Sequence, residues 1–477
     1  MTQTDAPVSG SRMAWVFAIT SVAAFMAALD NLVVTMALPS IQRDLGAGLG
    51  ELEWTVNAYT LTFAVLLLTG AALGERFGRR RLFVLGLAVF TAGSAGAALA
   101  PDLETLLAAR ALQGVGGAIV TPLSLTILTA AVPAERRGLA IGAWSGISGL
   151  GVALGPVVGG AVVEGVSWHW IFWLNVPIGA LTILLAARTL GERRGTAAAL
   201  DLPGLVLAGL GLLGIVYGVV RGNQAGWSSA EVLVSLAAGG VLVGSFVAWE
   251  LRAASPMLPM RFFRSRTFVA TNGVSFLMYL GLFGSAFLLA QFLQTAHGYG
   301  PLEAGLRTLP WTAVPLFVAP VAGALSDRIG GRPLMIGGLA LQSAALAWIA
   351  AVASPTVPYG QLAPGFFAAG VGMSFVLAPV ANTVLSAVEP HETGQASGAN
   401  NAIRELGGVF GVAILAAIFN GAGSYASPDA FTEGLGTAVL AGAAAMALAG
   451  AVALLVPGLR RPRVAAARPL RPVPVQT

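Results

Sequence analysis

Long apolar segments recur along almost the whole chain of 477 residues, and they constrain the fold more than any other feature. A helix that spans the hydrocarbon core of a bilayer needs about 20 predominantly apolar residues. The first such segment is too long for the apolar region of a signal peptide, so we expect it to be retained. The sequence therefore predicts an all-α membrane protein with about fourteen spans, at residues 14–38, 54–73, 82–100, 106–130, 139–163, 171–187, 202–220, 232–249, 268–293, 304–325, 334–353, 361–388, 399–419 and 436–456.

The composition supports this prediction and excludes several kinds of chemistry. Charged residues make up only 10% of the chain, whereas a soluble domain carries about 25%. The chain has no cysteine and no lysine, which excludes disulfides, thiolate nucleophiles, Schiff bases and the lysine of a Walker A loop. No nucleophile–base pair is recognisable, so we do not expect an enzyme. The three histidines, His169, His297 and His391, are far apart in predicted loops. We therefore predict no metal site and no cofactor.

The arginines fall mainly on one side of the predicted membrane. If the N-terminus is cytoplasmic, only Arg43, Arg221 and Arg307 lie on the other side. Because cytoplasmic loops are enriched in positive residues, we expect both termini to be cytoplasmic in a multi-pass plasma-membrane protein. The same asymmetry accounts for the net charge of +5 without a nucleic-acid partner, whose binding surface usually mixes lysine and arginine. Arginine without lysine, together with abundant alanine and glycine, suggests a bacterial source.

Two loops carry the same short motif. Residues 71–80 read AALGERFGRR and residues 323–332 read GALSDRIGGR. They follow the second and the tenth predicted span, so the chain divides into two related halves, as in many secondary transporters. The predicted organisation is a cytoplasmic N-terminus at 1–13, a six-helix bundle at 14–187, a linker with two extra helices at 188–267, a second six-helix bundle at 268–457 and an Arg/Pro-rich tail at 458–477.

These features resemble the major facilitator superfamily, and within it the fourteen-helix drug:proton antiporters. The resemblance covers nearly the whole chain. It implies the major facilitator fold, with two extra helices between the bundles, and proton-driven export of amphipathic compounds such as drugs, antibiotics or biocides by alternating access. The expected partners are a small-molecule substrate, protons and the lipid bilayer, with no obligate protein partner. The proton gradient is the expected energy source.

The repeated loops are the first motif that carries the resemblance. A carboxylate at a helix end can hold an arginine of the neighbouring loop, and glycine permits a tight turn. In the family this loop is a cytoplasmic latch that biases the inward and outward states. A simpler interpretation is that both loops only set the topology. The candidate latch residues are Glu75, Arg76, Gly78 and Arg79 in the first copy, and Asp327, Arg328, Gly330 and Arg332 in the second.

Two other motifs place charges inside apolar helices. Asp30 lies in the first predicted span, and Arg110 lies in the fourth, one turn before Gln113. An arginine within a bilayer costs about 2.5–3.5 kcal/mol even on a lenient scale, so we expect a partner or a cavity for it. The family pattern assigns such an arginine to proton coupling. A carboxylate within the membrane is itself a functional-site hypothesis, and we expect Asp30 to exchange a proton during the cycle. In the alternatives, Arg110 extends to the outer interface near Asp102 and Glu104, and Asp30 caps a neighbouring helix.

The fifth predicted span contains glycines four residues apart and a proline. Such glycines let another helix approach closely, and proline bends the helix. In the family this pattern is the antiporter signature, which is found in exporters and is generally absent from importers. A proton-coupled importer or exporter of one metabolite on the same fold is the alternative function. The signature residues here are Gly151, Gly155, Pro156, Gly159 and Gly160.

A further group of polar residues begins the predicted thirteenth span. Glu405 is a candidate second protonatable residue, supported by Asn401 and Arg404, as Gln113 supports the first. The alternative is an ordinary Arg–Glu pair at the end of a helix. The tryptophan-rich segment 168–179 also resembles the family's approach to the sixth helix, and we expect it to lie at the membrane interface.

Overall fold

The computed structural model describes residues 10–133, 136–194, 201–389 and 392–457. These residues form fourteen segments that are long and apolar enough to span a membrane, which confirms the predicted number. Two of the spans contain two helices each. The α-helices are α1 Gly10–Leu45, α2 Leu49–Phe77, α3 Arg79–Ala98, α4 Leu103–Ala131, α5 Arg137–Gly165, α6 Trp170–Trp173, α7 Asn175–Thr189, α8 Leu202–Ala225, α9 Ala230–Glu250, α10 Arg266–Thr295, α11 Pro301–Thr312, α12 Val314–Ile329, α13 Gly331–Val352, α14 Tyr359–Ser386, α15 Thr393–Ala422 and α16 Pro428–Ala453.

Most helices extend beyond the predicted apolar segments. A polar side chain caps the first backbone N–H groups of α4, α8, α9, α10 and α16. Asp102 accepts from Thr105 N at 2.8 Å, and this backbone hydrogen bond lowers the pKa of the Asp102 carboxyl group. Asp201 caps α8 in the same way through Gly204 N at 2.8 Å. The apolar window marks the hydrocarbon core, whereas the helices continue into the polar region at each end.

The helices pack as two groups with a pair between them. In the first group α1 packs on α5, α4 on α2 and α3, and α7 on α3; in the second, α10 packs on α15 and α16, and α13 on α14 and α16. The pair α8 and α9 pack on each other, and α8 contacts α2 and α15. Most of the predicted N-terminus and all of the predicted tail lie outside the described residues.

Large apolar side chains are exposed on the outside of this bundle. Val241 on α9 is 68% exposed, and Phe317 on α12 is 76% exposed. In water such a surface would promote aggregation, whereas in a bilayer lipid covers it. The exposed residues therefore agree with the membrane assignment.

An even number of spans brings the start of α1 and the end of α16 to one face, here named the terminal face. At the other face, named the opposite face, the two groups are in direct contact. Gln294 Nε2 donates to the carbonyl of Met36 at 3.2 Å, and Leu302 N donates to Glu164 Oε2 at 3.0 Å. These contacts close the seam between the two halves at the opposite face.

The two repeated loops have the same backbone turn at the terminal face. Gly78 separates α2 from α3 with φ +112°, and Gly330 separates α12 from α13 with φ +91°. A side chain is strained at such positive φ values, so both turns require glycine. The turn thus supports the internal repeat that the motif predicts.

Candidate functional site

Asp30 and Arg110 form an ion pair in the interior of the first group of helices. Both side chains are fully buried, and Arg110 Nη1 lies 2.5 Å from Asp30 Oδ2. Asp30 comes from the middle of α1 and Arg110 from the second turn of α4. A buried charge is tolerated when an opposite charge and hydrogen bonds accompany it, so the two residues explain each other's position.

Uncharged polar side chains complete this network. Gln113 Nε2 donates to Asp30 Oδ1 at 3.0 Å and to Ser94 Oγ at 2.8 Å, while Gln113 Oε1 accepts from Arg110 Nη1 at 2.9 Å. Asn175 Nδ2 donates to the same Asp30 oxygen at 2.8 Å. The Asp30 carboxylate therefore receives three hydrogen bonds, from α4 and α7. This arrangement, named the Asp30 network, stabilises the charged carboxylate.

The rest of the Arg110 guanidinium faces a backbone carbonyl and two aromatic rings. Its Nε donates to Thr55 O at 3.1 Å. Its central carbon lies 4.6 Å from the ring centre of Tyr59 and 5.8 Å from that of Phe172, distances at which a cation is attracted to the ring face. Arg110 therefore does not extend to the outer interface, and Asp30 is bound to side chains rather than to a helix end.

The glycines of α5 face two different neighbours. A methyl group on Gly151 would lie 2.7 Å from the carbonyl oxygen of Phe25, and one on Gly159 would lie 2.7 Å from that of Val33, both on α1. Gly160 instead packs against the backbone of Pro301 on α11, in the other half. Helix α5 thus lies between the Asp30-bearing helix and the seam between the halves.

Pro156 belongs to the second of these contacts. Its backbone carbonyl lies directly against Gly305 of α11, and Thr312 Oγ1 donates to Ala153 O at 3.1 Å. Small residues on both helices permit this close approach. The signature residues therefore permit close packing on both sides of α5, against α1 and against α11.

The second candidate pair, Arg404 and Glu405, does not begin a helix as predicted. Helix α15 begins at Thr393, so both residues lie more than three turns inside it. The apolar window misplaced the boundary because the first two turns of α15 are rich in polar and small residues. The interpretation as an end-of-helix pair is wrong for the same reason.

The Arg404–Glu405 pair is held much more loosely than the Asp30 network. Arg404 Nη2 lies 3.5 Å from Glu405 Oε1, with 31% of the Arg404 side chain exposed and 9% of that of Glu405. Within the described chain, Arg404 Nε and Glu405 Oε2 have no hydrogen-bond partner. The guanidinium lies 4.8 Å from the ring centre of Tyr279 on α10. The pair is thus free to accept further partners.

A small cavity of about 80 Å³ adjoins this pair, and Arg404 and Asn401 line it together with residues of α10 and α14. Nearby, Asn400 Nδ2 donates to Asn272 Oδ1 at 3.0 Å and to Ser275 Oγ at 2.9 Å. These bonds fix α15 against α10. Of the three asparagines, sequence reasoning had selected only Asn401.

The candidate latch residues lie at the terminal face. Arg79 Nε donates to Glu75 Oε1 at 2.8 Å, within the first copy. Glu192, which follows α7, accepts from the backbone N–H groups of Arg80 and Arg81 at 3.2 and 3.3 Å and so caps α3. In the second copy the side chain of Asp327 lies outside the described part of the chain, while Arg328 ends α12 and Arg332 begins α13. The first copy thus contacts its own loop and Glu192 of the linker.

Several residues of the site were not predicted from the sequence. Asn175 was expected only to mark the membrane interface, together with the neighbouring tryptophans. Trp168 is buried, and its Nε1 donates to Asp44 Oδ2 at 2.8 Å, so it does not lie at the lipid interface. Ser94 and Tyr59 are single polar residues in apolar helices, and nothing in the sequence alone says that they face Arg110 and its partners.

The sequence matches the family model of the major facilitator superfamily over residues 20–412, with a second match over 271–476. The chain belongs to the major facilitator superfamily. This finding confirms the resemblance that the motifs indicate.

Two curated relatives and one solved structure are similar to the chain over most of its length. It is 34% identical over 401 residues to a multidrug resistance protein Stp of Mycobacterium tuberculosis, covering 84% of this chain and 74% of that protein. It is 36% identical over 443 residues to a cephamycin export protein of Amycolatopsis lactamdurans, covering 92% and 91%. A crystal structure of a POT family transporter in complex with a thioalcohol-conjugated peptide superposes with a TM-score of 0.70 at 14% identity, covering 93% and 95%. The last likeness concerns the fold alone.

Proposed function

We propose that this protein exports small amphipathic organic compounds, such as antibiotics, in exchange for protons. The relatives include resistance and export proteins, which support the substrate class. The observation that carries the coupling is the Asp30 network, in which a carboxylate and an arginine pair inside an apolar bundle. Ionisable groups at such depth are a functional-site hypothesis by default.

Protonation of Asp30 would break the network in a defined way. The neutral acid no longer attracts Arg110, whose remaining acceptors are Gln113 Oε1 and Thr55 O. Since Asp30 lies on α1 and its donors lie on α4 and α7, weaker bonds loosen α1 from both helices. Helix α1 packs against the glycines of α5, and α5 contacts α11 across the seam. The proton on Asp30 is thereby connected to the contact between the halves.

Substrate and proton would favour different states of the seam, and this difference drives alternating access. The arginine-rich loops predict that the terminal face is cytoplasmic, so the closed opposite face is the external one. A substrate then binds from the cytoplasm between the halves, and external protons drive the return. The Arg404–Glu405 pair, beside its small cavity, provides a second charged position for the cycle.

Direction and coupling are tested together in bacteria that lack their own exporters. We expect the wild-type protein to lower the accumulation of a fluorescent amphipathic compound, and a protonophore to abolish this effect. Asp30→Asn and Arg110→Ala should reduce the efflux rate by more than about tenfold, since each removes one charge of a buried pair. Glu433→Gln, at an exposed carboxylate at the start of α16, is the matched control.

Three outcomes would overturn the proposal. Equal drug sensitivity of all strains over a broad panel of compounds would exclude drug efflux. Increased accumulation would indicate an importer on the same fold. Efflux that persists with the protonophore would remove the proton coupling.

A further inference from the structure

Glu53 is a buried carboxylate that the Asp30 network does not use. It lies in the first two turns of α2, and only 1% of it is exposed. Its Oε2 has no hydrogen-bond partner among the residues that the structure describes, and neither does either amide atom of Asn57, one turn further along. An ionised carboxylate without a partner is very costly in an apolar interior. The closed arrangement therefore favours neutral Glu53.

This carboxylate lies where the two halves meet. Its neighbours Leu52 and Val56 belong to the same hydrophobic core as Phe292 of α10 and Phe431 of α16. Tyr425, in the connection between α15 and α16, donates to Gln291 of α10. Burial, and then the nearby Glu53 carboxylate, raise the pKa of Tyr425. Glu53, on a helix of the first half, thus lies close to residues of the second half near the closed opposite face.

Among the described residues, no ion pair or hydrogen bond joins Glu53 to a cation on the helices that pack against α2. Arg43, near the end of α1, donates to Pro39 O and Ser40 Oγ instead. Tyr425 is the titratable group whose pKa the Glu53 carboxylate raises. The remaining charged groups of these helices have other partners or are exposed: Asp30 and Arg110, Asp44 with Trp168, Glu51 with Gly48 N, Glu75 and Arg79, Arg80 and Arg81 with Glu192, Arg221 with Glu231, Arg404 and Glu405, and the exposed Arg12, Arg76 and Glu104.

Glu53 is also nearer to the opposite face than the Asp30 network. Arg110 binds the carbonyl of Thr55, which is two residues, or about 3 Å of helix rise, further along α2. A proton that enters from the opposite face therefore reaches the level of Glu53 before that of Asp30. Opening of the seam would give Glu53 access to water, which stabilises the ionised form.

We propose that Glu53 is a proton-sensitive gate residue, which binds a proton as the halves close at the opposite face and releases it as they separate. This inference rests on the proposed proton coupling and adds a residue to it. The sign follows from the burial: the closed seam holds neutral Glu53, so raising the pH at that face favours the ionised residue and the open seam.

A single-cysteine reporter can measure this opening, because the chain has no cysteine of its own. Met36 is buried at the seam, where Gln294 Nε2 donates to its backbone carbonyl at 3.2 Å and lies 4.0 Å from its Sδ. Met36→Cys preserves the bond to the backbone. A membrane-impermeant maleimide is applied from the opposite face at increasing pH. Thiol reactivity itself rises with pH, so each rate is divided by that of Ala426→Cys, an exposed residue in the connection after α15.

With native Glu53 we expect the normalised labelling rate to rise several-fold as the pH increases. Glu53→Gln should keep the rate low at every pH, because glutamine cannot ionise. Glu53→Asp should restore a pH-dependent rise, which shows that the loss in the Gln variant is not a folding defect. Asp30→Asn should leave the rise in place, since it removes a different proton site.

The proposal is overturned if Glu53→Gln retains the rise, or if Asp30→Asn abolishes it while Glu53→Gln does not. Loss of the rise in both Glu53→Gln and Glu53→Asp would also overturn it, because packing rather than titration would then control the seam. The labelling assay requires no transported substrate. A failure of the proposed proton coupling would be detected in a separate experiment, as efflux that continues at the same rate when a protonophore is added.

Discussion

The Asp30 network in the first half and the Arg404–Glu405 pair in the second both bring an acid and an arginine into an apolar bundle. In the first, the carboxylate receives hydrogen bonds from three side chains, and neither charged residue is exposed. In the second, the two charged residues are neighbours in the chain, are separated by 3.5 Å, and adjoin a cavity. Similar residue types are therefore held in one half and left partly free in the other.

This difference indicates a division of tasks between the halves. The Asp30 carboxylate accepts three hydrogen bonds, whereas Arg110 Nη2 has no partner among the described residues. A network in which the carboxylate is bound in this way favours one arrangement, and a change in its charge disturbs that arrangement. A loosely held pair at a cavity wall can adjust to ligands of different shape. Under the proposed function, the first half would couple protons and the second half would bind the substrate.

The largest effect should come from removal of one charge from the tight network. Arg110→Leu leaves the Asp30 carboxylate buried without its partner, and breaking a buried pair in this way costs about 3–5 kcal/mol. Arg404→Leu should cost only about 1 kcal/mol, because its exposed fraction and long contact make the pair closer to a surface ion pair. The apparent melting temperatures of the two purified variants in detergent measure the difference. Equal shifts would contradict the comparison.

An intermediate effect should follow from removal of one neutral donor. Asn175→Ala deletes the hydrogen bond from α7 to Asp30, and an unmade bond to a buried charged group costs about 1–3 kcal/mol. Asn401→Ala, at the cavity beside Arg404, is the matched control and should change stability by less than about 0.5 kcal/mol. If Asn401→Ala proves the more damaging of the two in the same melting assay, the second half is the more rigid one.

The sequence predicts the charged members of these sites better than the neutral ones. Fourteen apolar segments are visible because lipid requires them, and Asp30 and Arg110 are conspicuous because a charge in lipid requires a partner. Asn175 and Ser94 are not conspicuous, since single polar residues are common in membrane helices. Their roles depend on helix rotation and packing, which hydropathy does not encode.

The errors at helix ends have one cause. A window that averages hydropathy begins a span at the first clearly apolar residue, so it placed the start of α2 at residue 54 and that of α15 at residue 399. The helices begin earlier, at Leu49 and Thr393. Glu53 was thereby left outside a span, and Glu405 was placed at the start of one. Glu53 is buried because tertiary contacts cover the start of α2, whereas Glu405 is buried well inside α15.

The smallest effect on stability should come from Glu405→Gln. The same substitution best distinguishes the functions of the two halves. The substitution keeps the size of the side chain and removes a carboxylate that makes one long contact, so we expect a change within about 0.5 kcal/mol. Arg404 then remains as an unbalanced positive charge at the wall of the cavity. A cationic substrate should lose affinity by several-fold while a neutral substrate of similar size is unaffected.

Initial efflux rates over a range of concentrations separate the two possible roles of Glu405. If the carboxylate acts on substrate charge, KM for the cationic compound rises and kcat stays the same. If it carries a coupled proton instead, kcat falls for both compounds and its dependence on pH changes, because every transport cycle needs that proton. The second result would remove the division of tasks and would make both halves proton carriers.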